Sequence, residues 1–254
     1  MSDTDWFSQL LATPWLLVYV ALTFVVAGVV KGTIGVGLPL LAVPLLALVL
    51  PPTTAIALLA VPVLASNVWQ AVDGRGSREN LRRFLPLSVM LLITTLISVR
   101  LALSLPAEVL TTLIAASVLC AVVLMLLDQG SGIAGPRERW MGPTVGVLAG
   151  AMGGVSSMTG PFIITYLMGL RLPREVFIGS ISIIYLFGIV PLYASMAVYG
   201  TLGRSEALVS AVGLVPLALG MALGKRLRRR LSELAFRRVL LAFLAGLALL
   251  LILR

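Results

Sequence analysis

The sequence contains no histidine and a single cysteine, and only 10 acidic residues stand against 19 Lys and Arg in 254 residues. Each scarcity excludes something. Without histidine, the ordinary acid–base partners and metal-ligand sets of an enzyme are missing, so neither a catalytic site, a metal nor a cofactor is expected. Cys120 alone cannot make an intramolecular disulfide, and its apolar neighbours mark it as a packing residue. Charged residues amount to 11% of the chain, against about 25% in a soluble domain. So few charges cannot cover a surface facing water, which makes lipid the solvent. The acids also avoid the apolar runs: all of them lie in the N-terminal tail, in loops or at segment ends. An intramembrane proton-relay carboxylate is therefore missing, which disfavours carboxylate-driven proton antiport. The first residues carry Asp3 and Asp5 instead of a basic stretch, so the first apolar run is expected to be kept and not cleaved as a signal peptide.

What is abundant is apolar. Hydrophobic residues make up 59% of the chain, and the mean hydropathy is +1.09. Runs of about 17–25 apolar residues are long enough to span a bilayer. Lipid offers backbone groups no partner outside their own helix, so continuous runs read as helices, not as barrel strands. The first half holds Trp15–Val30, Leu38–Leu50, Thr54–Val72, Phe84–Leu105 and Val109–Leu127. The second holds Met141–Val155, Pro161–Leu170, Val176–Val198, Ala207–Leu223 and Val239–Leu253. In each half the first two segments are short and interrupted by Gly and Pro. Trp69 and Tyr199 fit interfacial anchors.

The two halves resemble each other. A constant offset of 122 (149 minus 27) brings Ala27, Gly28, Gly32, Pro39 and Leu45 onto Ala149, Gly150, Gly154, Pro161 and Leu167. The same offset carries Leu50-Pro51 onto Leu172-Pro173 and Ile56 onto Ile178. The net charge of +9 is no nucleic-acid signature, because it sits between apolar runs as the positive-inside rule expects. Placing Arg75–Arg83 and Lys225–Arg238 inside also puts Arg137, Arg139, Arg171 and Arg174 inside, leaving Arg100, Arg204 and Arg254 outside. These basic loops occupy non-equivalent places in the two copies, so the copies run in opposite orientations. The expected fold is an all-α polytopic membrane protein of two inverted-topology repeats, each a broken or re-entrant helix pair plus three transmembrane helices. The first repeat covers residues 1–127, a cytoplasmic loop 128–140, and the second repeat 141–254, with both termini outside.

Short Gly/Pro-interrupted segments at matching places of two halves point to a transporter's substrate site near the midplane. The residues that build it here are Lys31, Gly32, Thr33, Gly35, Gly37 and Pro39 in the first half. Gly153, Gly154, Ser156, Ser157, Thr159, Gly160 and Pro161 match them in the second. Glycine lets the backbone unwind and approach a ligand. Pro39 and Pro161 suit the start of a half-helix, whose free N–H groups and partial positive charge favour an anion. Thr33, Ser156, Ser157 and Thr159 add hydroxyls that bond oxyanions without charge, and Lys31 adds charge. The same glycines also suit close helix packing, and Lys31 also suits a snorkelling interfacial lysine. Asn67, Gln70 and Tyr185 are further polar residues within the spans.

Gly28, Lys31, Gly32, Gly35, Gly37, Pro39 and Pro44, with Gly150, Gly153, Gly154, Gly160 and Pro161, resemble the paired Gly/Pro segments of the sulfite exporter TauE/SafE family of membrane permeases. The resemblance runs from about Trp15 onward. It implies fewer spans than ten segments would give, so some short segments would be re-entrant. It implies outward transport of a small sulfur-containing or organic anion, such as sulfite, sulfoacetate or another sulfonate, across a bacterial inner membrane. Ser156-Ser157-Met158-Thr159 departs from the commoner glycine runs, and one cysteine gives no support to a thiosulfate relay. The expected function is a secondary transporter working by alternating access, with an anion channel of the same fold as the alternative. Its partners are the small anion and membrane lipid, with homo-oligomerisation compatible and nucleic acid excluded.

Overall fold

The computed structural model describes residues 12–34, 37–73, 78–126, 136–227 and 233–252, and these form helices with no strand among them. In chain order they are α1 (Pro14–Ile34), α2 (Leu38–Ala47), α3 (Pro52–Ala57), α4 (Ala60–Asp73), α5 (Arg78–Leu103) and α6 (Ala107–Leu126). There follow α7 (Pro136–Ser156), α8 (Gly160–Gly169), α9 (Arg174–Val198), α10 (Arg204–Val212), α11 (Leu214–Leu227) and α12 (Glu233–Ile252). Six helical stretches are long and apolar enough to cross a bilayer, among them Pro14–Thr33, Arg82–Leu103 and Gly179–Val198. The side chains they expose are largely apolar, as lipid-facing surfaces must be.

Proline sets many of the helix starts. α1, α3 and α7 begin at Pro14, Pro52 and Pro136, and Pro39 and Pro161 fall in the first turns of α2 and α8. A proline there lacks an N–H that would have had no intrahelical partner anyway.

α2 and α8 are each 10 residues long, so each rises about 15 Å, half of a hydrocarbon core of about 30 Å. Both fold back along the helix before them. Tyr19 of α1 donates its hydroxyl to the Leu45 carbonyl of α2 at 2.9 Å, a contact that a helix continuing forward could not make. In the second half the Tyr166 hydroxyl lies 3.4 Å from where a β-carbon of Gly142 would sit, for the same reason. Each reversal passes through a left-handed residue, Gly37 at φ 97 and Ser157 at φ 61. In each half a full-length helix is thus followed by a half-length one that folds back along it.

The boundaries of α1 and α2 recur 122 residues later as those of α7 and α8 (136 minus 14; 160 minus 38). The turns repeat as well. Pro51 has φ −55 and ψ 141 before α3, and Pro173 has φ −54 and ψ 142 before α9.

Two parallel seams hold the hairpins to the rest. α1 packs on α11, and α7 packs on α5. A β-carbon at Gly28 would lie 2.5 Å from the Leu217 carbonyl oxygen, and one at Gly32 would overlap that of Met221. From the other side, Gly220 and Gly224 abut the carbonyls of Val25 and Val29. The α7 seam repeats this: Gly146 abuts the Leu87 carbonyl, Gly150 that of Leu91 at 2.7 Å, and Gly154 the Ser98 β-carbon at 2.5 Å. Residue numbers rise together along each seam, so the paired helices run parallel.

This differs from the sequence reading in one respect. Lys31, Gly32 and Thr33, and Gly153, Gly154 and Ser156, lie inside α1 and α7 and not in unwound segments. Membrane helices associate through close van der Waals packing of small residues. The glycines at this spacing keep the helix intact and bring a neighbour close.

α3 with α4, and α10 with α11, each make up one candidate span, Pro52–Val72 and Arg204–Leu227, as expected of single segments. The helix is interrupted locally at Leu58–Leu59 in the first and at Gly213 in the second. Just past the first break, the Val61 N–H donates to Ser210 Oγ of α10 at 3.0 Å. Ser210 is fully buried, so Ser210→Ala leaves that N–H without a partner. We expect it to lower stability by about 1–3 kcal/mol, measurable as a drop in the thermal unfolding midpoint of the purified protein.

The seams also sort the charges. Arg82, Arg83, Arg139, Lys225 and Arg226 lie at one end of the bundle, and Arg100 and Arg204 at the other. At the first end Arg83 Nη2 donates to Glu138 at 2.9 Å, tying the start of α5 to that of α7. The same guanidinium stands 5.4 Å from the Phe84 ring centre, and Phe84 meets Tyr166 edge to face. Exposed Trp69 and Trp140 ring that end, and exposed Trp15 and Tyr199 ring the other, as interfacial aromatics do.

Candidate functional site

The second hairpin brings its polar residues to a defined depth. Gly160 opens α8 beside Tyr185, with 2.8 Å between the Tyr185 hydroxyl and the position of a Gly160 β-carbon. Tyr185 lies midway along α9. Thr159 turns its methyl toward Gly153 and Gly188. Ser157 Oγ and the Tyr193 hydroxyl lie 3.3 Å apart, either one donating. No side chain caps α8, so the first N–H groups of this helix are left for something else. Ser157, Thr159 and Tyr185 are all buried.

The hydroxyls are not equally available. Ser156 donates to the Met152 carbonyl at 2.7 Å, and Thr33 to the Val29 carbonyl at 2.7 Å, with the Gly224 carbonyl at 3.2 Å. Asn67 donates to the Val63 carbonyl at 2.8 Å. These three side chains therefore spend donors on their own helices, a common habit of hydroxyls in apolar surroundings. The Tyr185 hydroxyl, by contrast, is buried and has no partner among the described residues.

In the first hairpin Gly37 stands at the N-terminus of α2 and Pro39 in its first turn, again without a side-chain cap. Gly35 lies outside the described residues, as does most of the 128–140 loop. Lys31 is 3% exposed, so it does not snorkel to water. It continues the buried stripe of Val20, Phe24 and Ala27 along α1. No ion pair reaches it among the described residues. Its depth follows from the α11 seam, which sets it just short of Lys225 and on the side of the basic end.

The hairpins do not pack extensively on each other among the described residues. Each of α2 and α8 rests on α6 instead. Beside the last turn of α7, residues Thr53, Ile56, Val99, Leu110, Gly154 and Met196 line a crevice of about 10 Å³, room for no more than about one water.

A buried lysine, two half-length helices that reverse at matching places, and a charge-poor helical bundle call for comparison with known membrane proteins. The family model of the sulfite exporter TauE/SafE matches residues 20–251. The chain belongs to that family. As a member, it is a multi-pass membrane transport protein and not an enzyme. Apart from Gly35, the sequence motifs named for this family lie on α1, α2, α7 and α8 and at the turns between them. No curated protein and no solved structure matched the chain.

Sequence reading passed over Tyr193, the partner of Ser157, and the buried hydroxyls of Ser88 and Thr95 on α5.

Proposed function

We propose that this member of the TauE/SafE family is a secondary transporter that exports a small sulfur oxyanion or organosulfonate across a bacterial inner membrane. One observation carries the reading. Two half-length helices fold back at matching places of the two halves, and one of them starts, uncapped, at mid-depth beside an unpartnered hydroxyl. Such a helix start offers N–H groups and positive potential to an anion. Lys31 lies toward the basic end and raises the potential along the approach from that side.

The halves are proposed as inverted repeats, residues 1–127 and 141–254. The shared offset of helix boundaries supports the repetition. Its inversion is supported by the direction of the seams, since α1 runs parallel to α11, which ends at Lys225 and Arg226 on the basic end, whereas α7 runs parallel to α5 and begins on that end beside Arg83. Alternating access is then rocking of one copy against the other. The positive-inside rule makes the Arg83–Lys225 end cytoplasmic and the termini external. Lys225 and Arg226 are exposed there and suit anionic lipid.

The test is flux in reconstituted vesicles. Labelled sulfite or a labelled sulfonate is expected to move with saturation and counterflow, which a channel does not give. Lys31→Ala and Gly160→Leu are expected to abolish it. Unchanged flux in both variants removes the site assignment, and unitary currents in planar bilayers would replace the transporter with a channel.

A further inference from the structure

The crevice beside the last turn of α7 lies between the two copies. Ile56 of α3, Val99 of α5 and Leu110 of α6 come from the first copy, and Leu192 and Met196 of α9 from the second. All five are buried. Among the described residues that line the crevice, only Thr53 has a polar side chain. It stands at the end of the bundle away from the basic loops, since Val99 adjoins Arg100 on α5. Just beyond Gly154, α7 ends at Ser156 and the chain turns at Ser157 toward α8. The crevice therefore sits between that end of the bundle and the turn that leads into α8.

The same two helical stretches meet at the basic end through polar side chains. Ser182 Oγ of α9 donates to Gln70 Oε1 of α4 at 3.4 Å, and Ser182 is fully buried. Gln70 lies 14 residues after Ile56 (70 minus 56), and Ser182 lies 14 before Met196 (196 minus 182). α3–α4 and α9 therefore run antiparallel across the boundary between the copies. The offset of 122 turns the contrast into a pair of counterparts, because it carries Gln70 onto Leu192 and Thr53 onto Glu175. Where one end of the boundary has Leu192, the other has Gln70. The backbone repeats here, as Pro51 and Pro173 show, but the polarity does not.

A space of about 10 Å³ admits about one water at most, and a buried water needs about two to four polar partners. One threonine hydroxyl does not supply them, so the crevice excludes water. A dry apolar constriction stops ions, because an anion entering it gives up its hydration and gains no partner. We propose that Ile56, Val99, Leu110, Leu192 and Met196 form the outer gate of the transport path, an apolar seal between the copies that parts when they rock. The polar counterpart at the cytoplasmic end, where Ser182 meets Gln70, is the side from which the anion enters. The inference rests on the inverted-repeat transport reading above and adds a resting state to it. At rest the protein is shut on the outside, as an exporter that collects its anion from the cytoplasm must be.

The first experiment gives Leu192 the residue of its cytoplasmic counterpart. Leu192→Gln, purified at full length and reconstituted in vesicles, is expected to add a non-saturating leak to the flux of labelled sulfite or methanesulfonate, because a wetted gate no longer seals. Flux that saturates as in wild type, with no added leak, overturns the gate. The second experiment decides the matter should that variant fail to fold. Met196→Cys in a Cys120→Ala background is treated from outside the cell with a membrane-impermeant cationic thiol reagent. Modification is expected to run about tenfold or more faster during export of either anion, since an open state hidden at rest is populated to about 10% or less. Equal rates with and without the anion overturn the gate while leaving transport standing. Wild-type protein that moves neither anion overturns the transport reading, and the gate with it.

Discussion

Lys31→Met is expected to stabilise the ligand-free protein while abolishing anion flux. Lysine and methionine have stems of similar length, so the change removes a charge more than it removes volume. The charge is buried at 3% exposure, on the Val20–Phe24–Ala27 stripe, and no ion pair compensates it among the described residues. A charged side chain in the middle of a membrane costs about 2.5–3.5 kcal/mol on insertion scales, and less toward an interface. Lys31 sits toward the basic end, so the expected gain is a fraction of that, roughly 1–2 kcal/mol. The measurement is paired: unfolding midpoint without ligand, and labelled sulfite flux in vesicles. If Lys31 were a structural residue, both would fall together. If it draws the anion, they move in opposite directions, and Lys31→Arg recovers part of the flux because its charge is kept on a bulkier fork. Flux at the wild-type rate in Lys31→Met would remove this residue from the mechanism.

The second large effect is expected at the seams. Gly220→Ala and Gly146→Ala each place a methyl onto a neighbouring carbonyl, that of Val25 and of Leu87 respectively. A flexible side chain could turn aside, but a backbone carbonyl inside a helix cannot. The two helices must separate, and overpacking of this kind costs about 1–3 kcal/mol, occasionally more. Gly246→Ala is the control. Nothing lies within 4 Å of a β-carbon there, so α12 is expected to tolerate it within about 1 kcal/mol, the intrinsic preference of a helix for alanine over glycine. Unfolding midpoints of the three variants decide the matter. Equal midpoints would mean that the seams are not the close-packed contacts described here. Flux is expected to fall with the seam variants as well, because α1 and α7 carry the hairpins that they anchor.

The two seams also explain why the glycine pattern was visible but its purpose was not. Gly28 and Gly32 recur as Gly150 and Gly154, and that spacing was plain in the sequence. Two physical uses of glycine predict the same letters: an unwound backbone near a ligand, and a close helix contact. Only the position of a second helix chooses between them, and α11 and α5 occupy that position. The backbone does break, but a few residues later, at Gly37 and Ser157.

The polar residues divide in the same way. Thr33, Ser156 and Asn67 were candidates by residue type, and each proves to bond a carbonyl of its own helix. The Tyr185 hydroxyl instead faces Gly160 and has no partner among the described residues. Ser88 and Thr95 were never distinguished from other hydroxyls in apolar runs, since an unpartnered group is a property of surroundings that sequence does not record.

Composition and patterning alone determined the membrane setting, the helical class, the likeness of the halves and the half-length of α2 and α8. These follow from solvent and chain geometry, because lipid admits only internally bonded backbone and a 10-residue helix cannot span it. Tertiary structure decided what stands beside what. It turned the short helices back on their predecessors and gave the repeated glycines to packing. It buried Lys31 with no ion-pair partner among the described residues and left the Tyr185 hydroxyl beside the start of α8. Those outcomes depend on contacts between residues far apart in the chain, whose energies no local stretch of sequence contains.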